Sequence, residues 1–279
     1  MTNKFTRDDI LQRLRGETRQ RRSILAVGAG NGLSARCAEM GGADLVVVYS
    51  SGHYRVNGLP SLVGGIPVGD ANEIMFRLGR ESVMPKKRTI PVIAGVYGID
   101  PTRDMDDILE TVESIGFSGI INFPTISRHE GTSYRVDLEN AGLGFSCEIE
   151  MMRKARARGL LTLAYVYNPE DARAMAQAGV DVIVGHMGLT TGGDIGSKSA
   201  IGLDAAIKRL DDIFNAALDV DQDLILLSHG GPISSAEDAE YVNLHSKAVG
   251  FVAASSFERI PIEIALKKAC DEFKSIRIG

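Results

Sequence analysis

The chain is poor in cysteine, and its few cysteines are badly placed for structural work. Cys37, Cys147 and Cys270 are odd in number, far apart and without C-x-x-C spacing, which argues against a disulfide framework or a zinc site. No stretch reaches the roughly 18 uninterrupted apolar residues of a membrane span. The opening MTNKFTRDD lacks the apolar core of a secretory signal. A soluble cytoplasmic protein in a reducing compartment, with no membrane partner, is expected. An excess of positive charge is missing too, since 31 Lys and Arg stand against 36 Asp and Glu for a formal net charge of -5. Nothing in that balance draws the chain to a phosphate backbone, so nucleic acid is not an expected partner. The one basic cluster, RLRGETRQRR from Arg13 to Arg22, reads as a solvated helical face. Linkers and low-complexity tracts are absent, so residues 1–279 are assigned to one domain with a short N-terminal helix.

What the chain does have is alternation. Eight short apolar runs read as strands: SILAVG from Ser23, DLVVVYS from Asp44, IPVIAGV from Ile90, SGIINF from Ser118, LLTLAYV from Leu160, VDVIVGH from Val180, DLILLSH from Asp223 and VGFVAAS from Val249. Each is nearly continuous in apolar residues, as strands of a parallel sheet covered on both faces must be. Helical patterns lie between them, several opening on Asp, Asn or Ser and closing on Gly. Eight such units predict an α/β fold, a single (β/α)8 TIM barrel. ARCAEMGGADLVVV from Ala35 also aligns without gaps on ARAMAQAGVDVIVG from Ala172, matching Gly42 with Gly179 and Asp44 with Asp181. Two related half-barrels, or a turn common to any such fold, would both produce that match.

In this fold the C-terminal ends of the strands face the active site. The polar and glycine residues gather there. Strand one exits in GAGNG (Gly28, Gly30, Asn31), strand four in NFPT (Asn122), strand six in HMGLTTGG (His186, Thr190, Thr191), strand seven in SHGGP (His229, Gly230, Gly231) and strand eight in ASSFER (Ser255, Ser256, Arg259). Glycine turns opening a helix present free N–H groups that favour phosphate or carboxylate, and Arg259 adds a fork-shaped donor. His186 and His229, on neighbouring strands, can share a pocket, where each can serve as general acid, general base, metal ligand or neutral hydrogen-bond donor, or simply bond a neighbouring backbone carbonyl at the rim. The three longest connections, Ser50 to Gly69, Pro124 to Gly144 and Gly188 to Gly202, have the length of functional or lid-like loops. No D-x-D or H-E-x-x-H run is present and no strand carries a lysine, so metal spacing and Schiff-base chemistry are not indicated.

Taken together, GAGNGLSARCAEMGGADLVVVYSSGHYR, GDAN, AGVYGIDP, NFPT, EIEMMRKA, HMGLTTGGDIGSKSA, SHGGPISSAEDA and GFVAASSFERIPIE resemble the phosphoenolpyruvate hydrolase-like family of TIM-barrel proteins. Its members are often labelled phosphonopyruvate hydrolases, and a similar barrel forms the C-terminal part of a plant antiviral resistance protein. The resemblance covers nearly the whole chain. It implies a hydrolase or lyase acting on a small anionic 2-oxo acid of the phosphonopyruvate or phosphoenolpyruvate type. The wider isocitrate lyase and phosphoenolpyruvate mutase superfamily binds magnesium through clustered acids and carries a K-x-G-H or K-C-G-H loop. Here the loop after strand four reads NFPTISRHEG instead, so cleavage by the superfamily mechanism is not expected, and magnesium is implied only by the resemblance. The rim residues carried over are Asn31, Asn122, His186, Thr190, Thr191, His229, Gly230, Gly231, Ser255, Ser256 and Arg259. From these come the expected catalytic residues His186, His229 and Asn122, and an anion site on the others together with Gly28 and Gly30. The competing reading is a ligand-binding or scaffold barrel without turnover. A homo-oligomer is expected on either reading.

Overall fold

A computed structural model describes residues 5–85 and 88–279; the opening MTNK falls outside them. The strands are β1 (Ile24–Gly28), β2 (Leu45–Val48), β3 (Val92–Val96), β4 (Gly119–Asn122), β5 (Leu161–Val166), β6 (Val182–His186), β7 (Ile225–His229) and β8 (Gly250–Ala253). All eight fall on the apolar runs. They pair in parallel, in chain order, and β8 closes back on β1 as a complete barrel. The chain is thus a single (β/α)8 barrel, as the alternation predicts.

Helix α1 (Arg7–Arg19) precedes the first strand. It carries the basic cluster on its open face, but Ile10, Leu11 and Leu14 on the other face are buried against the inner barrel layer. The helix therefore plugs the N-terminal end of the barrel. The rest of the chain adds α2 (Gly32–Met40), α3 (Ser50–Val56), α4 (Ala71–Arg77), α5 (Met105–Ile115), α6 (Ser133–Asn140), α7 (Phe145–Ala157), α8 (Pro169–Gln177), α9 (Leu203–Leu218), α10 (Ala236–His245), α11 (Ser255–Glu258) and α12 (Ile260–Lys274).

Strand parity divides the core into two layers, because alternate side chains point to opposite faces. Leu161, Leu163 and Tyr165 of β5 point inward with Val182 and Val184 of β6 and Ile225 and Leu227 of β7. Ala164 and Val166 of β5, Ile183 of β6 and Ile120 of β4 point outward beneath the helices. The aligned segments do the same work: Asp44 accepts the N–H of Leu25 at 2.9 Å and Asp181 accepts that of Thr162 at 3.0 Å. Each carboxylate ties the start of its strand to the strand before.

One element departs from the barrel pattern. The helix following β8 should cover the seam between β8 and β1. Instead α12 buries none of its residues, while Ile262, Leu266 and Phe273 are exposed on it. The seam is left as an apolar groove of about 750 Å3 lined by Leu25, Ala239, Leu244, Phe251, Ala253 and Phe257.

Candidate functional site

Parity also aims the two histidines. His186 continues the inward series Val182, Val184, and His229 continues Ile225, Leu227, so both imidazoles point into the C-terminal mouth. β6 and β7 pair with His186 directly opposite His229, which brings the rings to 4.4 Å between centroids and nearly perpendicular. Tyr167 stacks on His186 at 4.3 Å and Tyr165 packs at 5.1 and 5.0 Å from the two rings. Both histidines are buried.

Their hydrogen bonds assign opposite tautomers. His229 Nδ1 lies 2.6 Å from the carbonyl of Val252. A carbonyl only accepts, so that nitrogen carries the hydrogen and Nε2 keeps its lone pair. His186 Nδ1 instead accepts the N–H of Gly188 at 3.0 Å, which leaves the hydrogen on Nε2. Burial holds both rings neutral, pushing His229 down to about 4. Burial together with the adjacent His229 ring pushes His186 well below its usual value. One ring is a donor and its neighbour an acceptor at the same mouth.

The cavity above them is small, about 60 Å3. All three long connections reach it: Ser51, Arg55, Ser61 and Leu62 come from the first, Arg128 from the second, and Thr190, Ile195 and Ser197 from the third. Among the described residues its wall carries three guanidinium groups, those of Arg55, Arg128 and Arg259, and no carboxylate. Arg55 meets Glu258 at 2.6 Å, with both side chains fully buried, and Arg259 meets Glu263 at 3.2 Å. Tyr165 presents a buried hydroxyl near the mouth.

Of the residues expected from sequence, His186, His229, Thr190, Ser255 and Arg259 line this cavity together. The others sit elsewhere. Asn122 shares the outward parity of Ile120, so it faces α7 and donates to Glu148 at 2.7 Å. Gly28 makes room for its neighbours, since a Cβ there would stand 2.7 Å from Tyr49 Oη and 3.2 Å from Arg55. The GAGNG turn is not an open anion cradle: Gly30 gives its N–H to Glu258 at 2.6 Å, and Asn31 caps α2. Gly230 and Gly231 hold left-handed backbone at φ 73° and 61° and let β7 turn tightly beneath Gly188 and Met187. Thr191 is tied to the carbonyl of Gly231. Ser256 faces the groove on the barrel flank, far from the mouth in character as well as lining. Arg259 reaches the cavity with its fork already engaged by Glu263 and the carbonyl of Gly192.

Sequence reasoning missed Arg55, Arg128, Tyr49, Tyr165 and the buried acids Glu148 and Glu258. Inward parity at the strand exits would have found Tyr49 and Tyr165. Arg55 lies in the two-turn α3 of the first long connection and Arg128 in the 3-10 turn of the second, elements too short for a sequence period to aim their side chains.

A model of the family described as phosphoenolpyruvate hydrolase-like matches residues 9–276. The chain belongs to the phosphoenolpyruvate hydrolase-like family. Two tomato (Solanum lycopersicum) proteins, the ToMV susceptible protein tm-1(GCR26) and the ToMV resistance protein Tm-1(GCR237), are each 44% identical to it over 268 residues, 96% of this chain. The chain spans about a third, 35%, of the length of each. Among solved structures, a phosphonopyruvate hydrolase complex with oxalate and magnesium is similar, with a TM-score of 0.62 and 19% identity over 98% of this chain and 87% of that one. An oxaloacetate acetylhydrolase is similar at TM-score 0.62 and 16% identity, over 95% of this chain and 87% of that one. At these identities the structures share the family's fold.

The magnesium of that neighbour prompts a test of fit. Magnesium takes oxygen ligands and is held largely through carboxylates. No carboxylate lines the cavity, Glu258 is engaged by Arg55, and Glu148 is wrapped by Asn122, Thr125 and the N–H of Ile126. Among the described residues no three His, Cys, Asp or Glu side chains converge. The donor set does not fit a divalent metal.

Proposed function

We propose that the protein is a hydrolase or lyase acting on a compact anionic 2-oxo acid at the C-terminal mouth of the barrel. One observation carries this reading: two facing, neutral histidines of opposite tautomer beneath a wall of guanidinium groups without a carboxylate. A positive wall selects an anion. His186 Nε2–H is placed to hold the 2-oxo oxygen. When the bond to C3 breaks, its electron pair moves into an enolate whose oxygen that hydrogen bond stabilises. His229 Nε2 takes the proton of an attacking water as the water oxygen bonds to the departing phosphorus or carbon centre, and then returns it to C3. The neutral state of both rings lets one site do both tasks near pH 7. Phosphonopyruvate is the substrate this step fits, with its C3–P bond broken; phosphoenolpyruvate reaches the same enolate by losing its O2–P bond to the same water, and oxaloacetate reaches it by losing C4 as carbon dioxide without water.

Time-course phosphorus and proton NMR of the full chain with each acid tests the reading, with phosphate or a cleaved acid expected as product. Binding of these acids with no product in any case would overturn it in favour of the scaffold barrel. The unpaired state of Cys37, Cys147 and Cys270 accords with a cytoplasmic location. No helix among the described residues is long and apolar enough to cross a membrane. The homo-oligomer belongs to the same proposal, with the α12 of a second copy as occupant of the β8–β1 groove.

A further inference from the structure

We propose that Arg128, in place of a divalent metal, supplies the charge that holds the ligand carboxylate, so that binding at the barrel mouth is metal-independent. This rests on the anion-binding reading of the same site and names the group responsible. Of the three guanidinium groups in the wall, two are already answered. Arg55 faces the Glu258 carboxylate, and Arg259 is shared between Glu263 and the carbonyl of Gly192. Arg128 stands apart. It has no hydrogen bond or ion pair among the described residues, although it is half-buried.

Its position is set by the stretch of the β4 connection where Ile126–His129 form a 3-10 turn. That turn is anchored from below, since Glu148 accepts the Ile126 N–H at 2.8 Å and Ser127 Oγ accepts the N–H of Tyr167 at 3.0 Å. The anchored turn sets the Arg128 side chain against the cavity, and its charge acts on His186. A half-buried cation without a counter-charge is costly unless a ligand supplies one. A divalent ion would add charge of the same sign to a wall that offers it no carboxylate. A carboxylate, by contrast, matches the guanidinium fork with two parallel hydrogen bonds. Space sets the size of the ligand. At roughly 10–15 Å3 for each water-sized group, a cavity of about 60 Å3 holds roughly four to six such groups, enough for the oxalate-sized 2-oxo carboxylate end of the proposed acids, with the rest of each acid lying outside that volume.

The test is calorimetric titration of the full chain with oxalate, in EDTA and in excess magnesium, corrected for magnesium oxalate formed in solution. Oxalate is expected to bind equally in both. Arg128→Gln should weaken it by about tenfold to a hundredfold, and Arg128→Lys should restore part of the loss. Because the Arg128 side chain has no hydrogen bond or ion pair among the described residues, the Gln variant should keep or raise the thermal midpoint of the wild type, which separates lost charge from lost fold. Binding that requires magnesium, binding unaffected by Arg128→Gln, or no binding in either buffer would overturn the proposal. Its failure is distinguishable from that of the function. Magnesium-dependent turnover would retain the enzyme and remove Arg128 from this role, whereas metal-free oxalate binding through Arg128 with no turnover would do the reverse.

Discussion

At the barrel mouth, His186 and His229 differ in which nitrogen carries hydrogen, and one backbone contact apiece decides it. The Val252 carbonyl fixes His229 and the Gly188 N–H fixes His186. Long-range proton–nitrogen spectra of labelled protein should show His229 protonated at Nδ1 and His186 at Nε2 at neutral pH, with His229 charging only near pH 4. A base must be neutral to accept a proton, so kcat/KM is expected to persist above that value and to fall as pH drops through it. A ring found charged at pH 7, or two rings of one tautomer, would break the assignment. The histidines themselves were readable from sequence because each ends an apolar run at a strand exit. Their tautomers were not, since these depend on backbone groups of a neighbouring strand and a turn. Asn122 shows the opposite error: it too ends a strand, but one step of parity turns it away from the mouth.

At the scale of elements, all eight strands were readable because burial on both faces demands unbroken apolar runs. The connections were not, because their long-range contacts leave no period. Glu148 is the clearest case. It opens α7 as an ordinary acid in sequence, yet it is fully buried and bridges β4, the 3-10 turn and α7. Burial pushes its carboxyl up to about 7, against three hydrogen bonds that favour the charged form. The folded state therefore keeps a proton that the unfolded chain, with an ordinary carboxyl, has released. Stability should decline as pH rises from about 4.5 to about 7 and level off above, by up to about 3 kcal/mol. Urea midpoints at pH 5, 6, 7 and 8 measure this slope, and Glu148→Gln should flatten it. An equal slope in the variant would mean that another group is responsible.

For the whole molecule, the proposed homo-oligomer makes the unpacked α12 and the open β8–β1 groove two halves of one interface. α12 is about 22 Å long, and Ile262, Leu266 and Phe273 recur at spacings that place them on one face. The groove buries two polar atoms without partners, Asn243 Oδ1 and Ser256 Oγ, as a surface awaiting a covering element would. In the proposed dimer, exchange of α12 between two copies would fill both grooves with one two-fold operation. Light scattering after gel filtration should report a dimer, and Leu266→Glu should shift it towards monomer. A wild-type monomer at micromolar concentration would contradict the exchange. The helix was readable in sequence and its position was not, since an amphipathic pattern does not say whose groove it fills. Turnover decides the function of the whole barrel. The most direct measurement compares kcat for His229→Ala with that of the wild type on whichever 2-oxo acid is cleaved, with oxalate affinity measured alongside. A loss in kcat of about a hundredfold or more, at nearly unchanged oxalate affinity, is predicted; turnover that survives the substitution intact would contradict acid–base catalysis by the histidine pair.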